Sequence, residues 1–175
     1  MADQVQNQLG LDKVYLMPTY LPPHVDEKKT ISSEHRLAML ELAVADNPCL
    51  DIEPIELIRK GKSYTYDTMK ALKEANPDTD YYFIIGGDMV EYLPKWHRID
   101  DLLHLVQFVG IRRPNYPTES TYPIIWVDVP QMAISSTLIR QKVKSGCSIR
   151  YLLPENVINY IQEKGLYQDE LDNKL

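Results

Sequence analysis

The residues best suited to chemistry in this sequence sit at the ends of apolar runs. Gly86-Gly87-Asp88 closes the run Tyr81–Ile85. Two glycines let a ligand approach the backbone closely, and the carboxylate can accept ribose hydroxyls or help hold a metal. A tight turn with a capping Asp explains the same residues. Ile134-Ser135-Ser136-Thr137-Leu138-Ile139-Arg140 offers hydroxyls and free N–H groups at the positive end of a helix, with the Arg140 cation one turn after Ser136. Such a segment forms a phosphate site; the plainer alternative is a serine N-cap beside a solvated arginine. Pro94-Lys95-Trp96-His97 holds an aromatic plane between Lys and His, where it can stack a heterocycle or fill the core. Ser63-Tyr64-Thr65 follows the basic loop Arg59–Lys62 and opens a helix, so it can receive a carboxylate or phosphate, or act only as a cap.

Charge supports the anionic-ligand alternatives. The net charge of −6 argues against nonspecific nucleic-acid binding, which needs a broad cationic face. Yet nine of the 19 basic residues lie in three windows without an acid, Leu57–Tyr66, Leu105–Thr118 and Ile134–Arg150. These are either solvated faces or the walls of a pocket for an anionic small molecule. Other chemistries lack their motifs. There is no Gly-x-x-x-x-Gly-Lys-Ser/Thr loop, Gly-x-Gly-x-x-Gly, Gly-x-Ser-x-Gly or His-Glu-x-x-His, and His24, His35, His97 and His104 form no pair at helical spacing. Cys49 and Cys147 stand far apart with no Cys-x-x-Cys, which suits reduced packing thiols.

The elements that must position these residues alternate between helix and strand. Ala2, Val5 and Leu9 have helical spacing with Gly10 as C-cap, and Val14–Met17 reads as a buried strand. Ser33 caps a helix bearing Leu37, Leu40 and Val44; Leu50–Ile55 resembles a strand. Tyr66, Met69 and Leu72 mark a helix stopped by Asn76-Pro77, and Tyr81–Ile85 reads as a strand buried on both faces. Ile99–Leu105, Gln107–Ile111 and Ile124–Val129 continue the alternation, and Ser136–Lys144 and Glu155–Lys164 are closing helices. Strict alternation with apolar strands predicts a doubly wound α/β fold with a parallel sheet. Its ligands bind outside the carboxyl ends of the strands. The 175 residues, 44% hydrophobic and 25% charged, fit one domain spanning 1–175. The longest apolar stretch, Tyr81 to Gly87, is far short of the ~18 residues of a membrane span, and the start lacks the features of a secretory signal. A cytoplasmic protein without a membrane partner is expected.

Taken in order, several motifs resemble bacterial nicotinate-nucleotide adenylyltransferase. They are Val14-Tyr15-Leu16-Met17-Pro18 with Pro22-Pro23-His24, Ser63-Tyr64-Thr65-Tyr66-Asp67-Thr68, Ile85-Gly86-Gly87-Asp88, Lys95-Trp96, Gly110-Ile111-Arg112-Arg113-Pro114 and the Ile134–Arg140 segment. The resemblance implies a Rossmann-like nucleotidyltransferase that joins nicotinic acid mononucleotide to the adenylyl group of ATP with Mg²⁺, releasing pyrophosphate on the route to NAD. It implies Thr65, Tyr66, Trp96 and His97 at the nicotinate moiety, with Trp96 stacking the ring and Thr65 receiving the carboxylate. Asp88 would take ribose hydroxyls, while Gly86, Ser135, Ser136 and Arg140 would serve ATP and Arg112 would line its adenine side. The family begins with a strand and a loop resembling Gly-Gly-Thr-Phe-x-Pro-x-His-x-Gly-His, which this chain lacks, so no catalytic residue is assigned. That strand is central in the sheet, so its neighbours are expected to show unpaired edges, lower stability and a tendency to self-associate as a homo-oligomer. The alternatives are a noncatalytic mononucleotide-binding remnant and a sister enzyme acting on another phosphate ester, which has no evident use for Trp96 and Thr65.

Overall fold

Local signals in the chain set most element boundaries. In the computed structural model, which describes residues 1–22, 31–114, 116 and 118–168, the chain opens with helix α1, Ala2–Leu9, ended by Gly10. Pro23 and His24 lie outside the described residues. Strand β1, Val14–Leu16, follows, and helix α2, Ser33–Val44, begins at Ser32, whose hydroxyl accepts the His35 N–H. The cap therefore sits one residue before the expected Ser33. Strand β2 covers only Leu50–Ile52 because Glu53 accepts the Ile55 N–H and Pro54 leads into a short helix α3, Ile55–Arg59. Helix α4, Thr65–Ala75, stops at Asn76 before Pro77, and strand β3 spans Tyr81–Gly86. Then come α5, Gly87–Val90, a 3₁₀ turn at Leu93–Lys95, α6, Ile99–Leu102, and strands β4, Val106–Ile111, and β5, Ile124–Val127. Helices α7, Ser136–Lys144, and α8, Glu155–Glu163, close the described chain.

All named strand pairs are parallel, as the helix–strand alternation predicts. The strands fall into two groups, β1-β2 and β3-β4-β5, with no ladder between β1 and β3. Residues of both strands line one cavity of about 940 Å³. The cavity thus separates the two strand groups. It also explains a departure from expectation: in β3 only Ile85 among the apolar residues is fully buried, while Tyr81–Ile84 are partly exposed. A strand with a neighbour on one side and a cavity on the other cannot be covered at both faces and edges. Strand β4, paired on both edges, is the buried one, with Val106, Phe108, Val109 and Ile111 all buried.

Three apolar clusters flank the sheets. Tyr66, Met69, Val90, Leu93 and Leu102 pack on one face of β3 and β4 with Ile85 and Phe108, and Val5 of α1 packs on the other with Val109, Ile111 and Val127. A third joins α7 and α8 through Ile139, Ile149, Val157 and Ile161, with Met39 and Leu42 of α2 against it. At Gly110 the side chains of β5 leave no room for a Cβ, which would lie 2.7 Å from Trp126 Cζ3 and 2.8 Å from Ile124 Cγ2. Gly110→Ala is therefore expected to cost roughly 1–3 kcal/mol by overpacking, read as a lower midpoint in urea. An unchanged midpoint would mean that Trp126 yields freely and that this contact does not hold the sheet.

Candidate active site

The cavity between β1 and β3 reaches the carboxyl ends of β3 and β4, where Gly86, Met89, Ile111 and Arg113 line it. Thr19, Pro22, Glu53, Glu56, the segment Ser63–Thr65, Trp96 and His97 also line it. Arg36 of α2 holds the Thr19 end in place, donating through Nη1 to the Thr19 carbonyl at 2.8 Å and through Nη2 to Ser33 Oγ at 3.2 Å.

Trp96 is fixed by the core it borders. Its ring stands edge-on to Phe83 at 5.8 Å and to Phe108 at 5.9 Å between centroids. The indole packs against the core, one of the two alternatives read from the sequence, and also borders the cavity. Its Nε1 is buried and has no hydrogen-bond partner among the described residues. A buried indole N–H normally finds an acceptor, so this donor is suited to one arriving with a ligand. His97 is exposed, with its ring 4.6 Å from that of Tyr64 and 6.4 Å from that of Tyr66. Tyr66 is buried and does not line the cavity; the Arg98 guanidinium lies 4.0 Å over its ring. Arg98 itself has a left-handed backbone (φ 54°) and donates to Asp101 at 2.7 Å, a hydrogen bond that raises its pKa further above the ordinary arginine value. Tyr66 therefore anchors the His97–Arg98 turn, and of Tyr64 and Tyr66 it is Tyr64 that lines the cavity.

At the strand end, Asp88 Oδ2 pairs with Arg113 Nη1 at 3.3 Å, and Oδ1 is buried without a hydrogen-bond partner among the described residues. Gly86 makes room for this pair, since a Cβ there would collide with the Asp88 carboxylate and lie 3.3 Å from Arg113 Nε. Arg112, just past the end of β4, pairs through Nη1 with Asp128 at 2.7 Å and does not line the cavity. Arg113 is the member of the pair that reaches the cavity.

Ser135, Ser136 and Arg140 form a separate group at the start of α7, outside the cavity lining. Ser135 Oγ accepts the Leu138 N–H at 3.1 Å, the capping role weighed from the sequence, and Arg140 donates to Thr137 at 3.2 Å. Ser136 is exposed. Among the described residues no group of three or more His, Cys, Asp or Glu is arranged to hold a metal, and no helix is long and apolar enough to cross a membrane.

In a parallel α/β sheet ligands bind outside the carboxyl ends of the strands, which is where Gly86, Gly87 and Asp88 lie. Residues 1–142 match the family model described as cytidylyltransferase-like. The whole chain is 99% identical to a probable nicotinate-nucleotide adenylyltransferase of Enterococcus faecalis, spanning 80% of that relative, and 61% identical over 168 residues to the counterpart from Streptococcus mutans. The fold is also that of a solved Plasmodium falciparum nicotinic acid mononucleotide adenylyltransferase complexed with NaAD, at a TM-score of 0.75 and 18% identity, covering 97% of this chain and 89% of the other. The chain belongs to the nicotinate-nucleotide adenylyltransferase family, within the cytidylyltransferase-like nucleotidyltransferases.

The crowding at Gly86 is directly testable. Gly86→Ala keeps an ordinary backbone, so its expected effect is to rotate the Asp88 carboxylate out of reach of Arg113 with little change in melting temperature. A crystal structure of the variant with the pair intact would relocate the crowding to the backbone.

Proposed function

We propose that this chain binds nicotinic acid mononucleotide and ATP in one domain, residues 1–175, and transfers the adenylyl group between them. A phosphate oxygen of the mononucleotide attacks the α-phosphorus of ATP, the α–β phosphoanhydride bond breaks, and pyrophosphate leaves with its negative charge. Nicotinic acid adenine dinucleotide is the other product. Mg²⁺ enters as the ATP complex and belongs to the substrate.

The observation that carries this reading is the meeting in one cavity of Trp96, His97 and Thr65 with Gly86 and Arg113. A planar pyridine acid needs an aromatic face and donors at its edge, and Trp96 with the start of α4 offers both. Thr65 and the adjacent N–H groups receive the carboxylate, and Tyr66 holds His97 beside them. The Asp88 carboxylate accepts ribose hydroxyls through Oδ1, the oxygen left without a partner among the described residues. Ser136, Arg140 and the free N–H groups at the start of α7 receive ATP phosphates; Ser135 contributes mainly by capping that helix. Arg113, at the same strand end as Gly86, takes the place near the nucleotide that the sequence motif suggested for Arg112. No side chain acts as a nucleophile. Alignment of two phosphates and neutralisation of charge in the transition state supply the acceleration. A cytoplasmic setting, where ATP is supplied, accompanies this reading.

A second reading, a mononucleotide-binding chain without turnover, is favoured by the facing unpaired edges of β1 and β3. Those edges are also the surfaces through which copies of the chain could associate as a homo-oligomer. A pyrophosphate-release assay with both substrates separates the readings: turnover at an enzymatic rate supports transfer, and calorimetric binding of the mononucleotide without release supports the second. Trp96→Phe preserves most of the core contact and should weaken the nicotinate substrate selectively, whereas equal weakening of ATP would return Trp96 to a purely structural role. Arg140→Ala should raise the KM for ATP about tenfold, the usual scale for losing a charge-assisted hydrogen bond, and leave that for the mononucleotide unchanged. An unaltered ATP dependence would make Arg140 a surface residue.

A further inference from the structure

Thr68 is fully buried in α4, three residues after Thr65, and takes no part in the reaction described above. Its hydroxyl is the centre of a polar knot. Arg59 Nη2 donates to it at 2.7 Å, while Glu56 Oε1 at 2.9 Å and the Tyr64 carbonyl at 3.2 Å are its possible acceptors. A hydroxyl carries one proton, so Thr68 accepts from the guanidinium and passes that polarity on to one acceptor at a time. Glu56 is only 4% exposed, and no direct ion pair joins it to Arg59 among the described residues. Thr68 is the bridge between the two charges.

Such a knot is a costly way to gain stability, because a well-packed apolar cluster usually serves as well or better. Its position suggests another use. The knot ties α3 to the first turn of α4 across Lys60 and Gly61. Lys60 holds φ 59° and ψ −179°, a conformation found almost only in glycine, and Gly61 holds φ 74°. Backbone strain of this kind persists only where surrounding contacts over-determine it. On the far side of the turn, the Ser63 N–H donates to the Leu21 carbonyl at 2.9 Å and Ser63 Oγ accepts the Tyr20 N–H at 3.3 Å. The segment clamped between the knot and these bonds is Ser63–Thr65, which lines the cavity, and Glu56 lines it too.

We propose that Thr68, bridging Glu56 and Arg59, is a positioning residue that aims the Tyr64–Thr65 turn at the pyridine carboxylate and so sets affinity for that substrate without touching it. The substrate's identity rests on the reading under Proposed function; the positioning role does not. Thr68→Val removes the hydroxyl at constant shape, and Thr68→Ser restores it. By calorimetry, Thr68→Val should weaken nicotinic acid mononucleotide about tenfold and ATP less than about twofold, with Thr68→Ser returning most of the loss. Equal affinities in wild type and Thr68→Val, or equal weakening of both ligands, would overturn the role. A ligand-free measurement keeps the two readings apart. Hydrogen exchange at the Tyr64, Thr65 and Tyr66 amides should quicken about tenfold in Thr68→Val relative to the later turns of α4. Wild type that fails to bind the mononucleotide overturns the substrate reading alone, and unchanged exchange overturns the positioning role alone. If Thr68→Val does not fold, Glu56→Gln tests the same bridge by removing its charge, with the same two readouts and the same overturning results.

Discussion

The parallel register of β3 on β4 is the constraint on which the site depends. Six consecutive pairs, from Tyr81 with Val106 to Gly86 with Ile111, bring both strands to their carboxyl ends together. Asp88 leaves one end and Arg113 the other, which is why they meet at 3.3 Å although 25 positions separate them in sequence. A slip of one residue would turn Arg113 away from the cavity and bring Arg112 toward it, because side chains alternate between faces. Hydrophobic burial on β4 penalises that slip: it would exchange Phe108 and Val106, which face one cluster, for Val109 and Ile111, which face another.

The same register builds the aromatic wall. It sets Phe83 opposite Phe108, 6.0 Å apart between ring centroids, and Trp96 packs edge-on against both. The indole's orientation is thus inherited from the sheet. Trp96 lies directly after the 3₁₀ turn Leu93–Lys95, whose Leu93 is fully buried in the same cluster, so the loop has little freedom to re-aim it. A binding surface whose platform is held by core contacts needs less ordering when a ligand arrives, which favours affinity without enlarging the interface.

What could be read from sequence follows from the range of the forces involved. Caps, proline stops and helical spacing act within a few residues, so α1, α4, α7 and α8 emerge close to their observed limits. Helix α3 was hidden because Ile55–Arg59 is too short to establish a helical period and follows β2 as an apolar run; Pro54 was its available signal. The strand-end glycines and Trp96 were visible by residue type. The choice between Arg112 and Arg113 was not, since it depends on the face that strand register selects. The choice of Tyr64 over Tyr66 for the cavity wall likewise depends on how α4, through Tyr66 and Met69, packs into the cluster that holds Leu102, a tertiary fact. The Glu56–Thr68–Arg59 knot joins two helices across a strained turn and has no short-range signature at all.

The basic windows show why charge counts need such context. Arg59 is committed to Thr68, and Arg112 to Asp128. Arg113 is paired with Asp88 but remains about two-fifths exposed at the cavity rim, while Lys60 and Lys62 are exposed on the strained turn and do not line the cavity. An acid-free stretch of sequence therefore does not deliver all its charge to a ligand. Part of it neutralises buried polar groups that the fold itself creates, and that fraction cannot be withdrawn cheaply, because an unpaired buried carboxylate costs more than a weakened surface contact. The cations able to change partners are those at strand ends and helix starts. There the protein's own pairing is partial and half-solvated, so an incoming phosphate can compete with an aspartate at little cost.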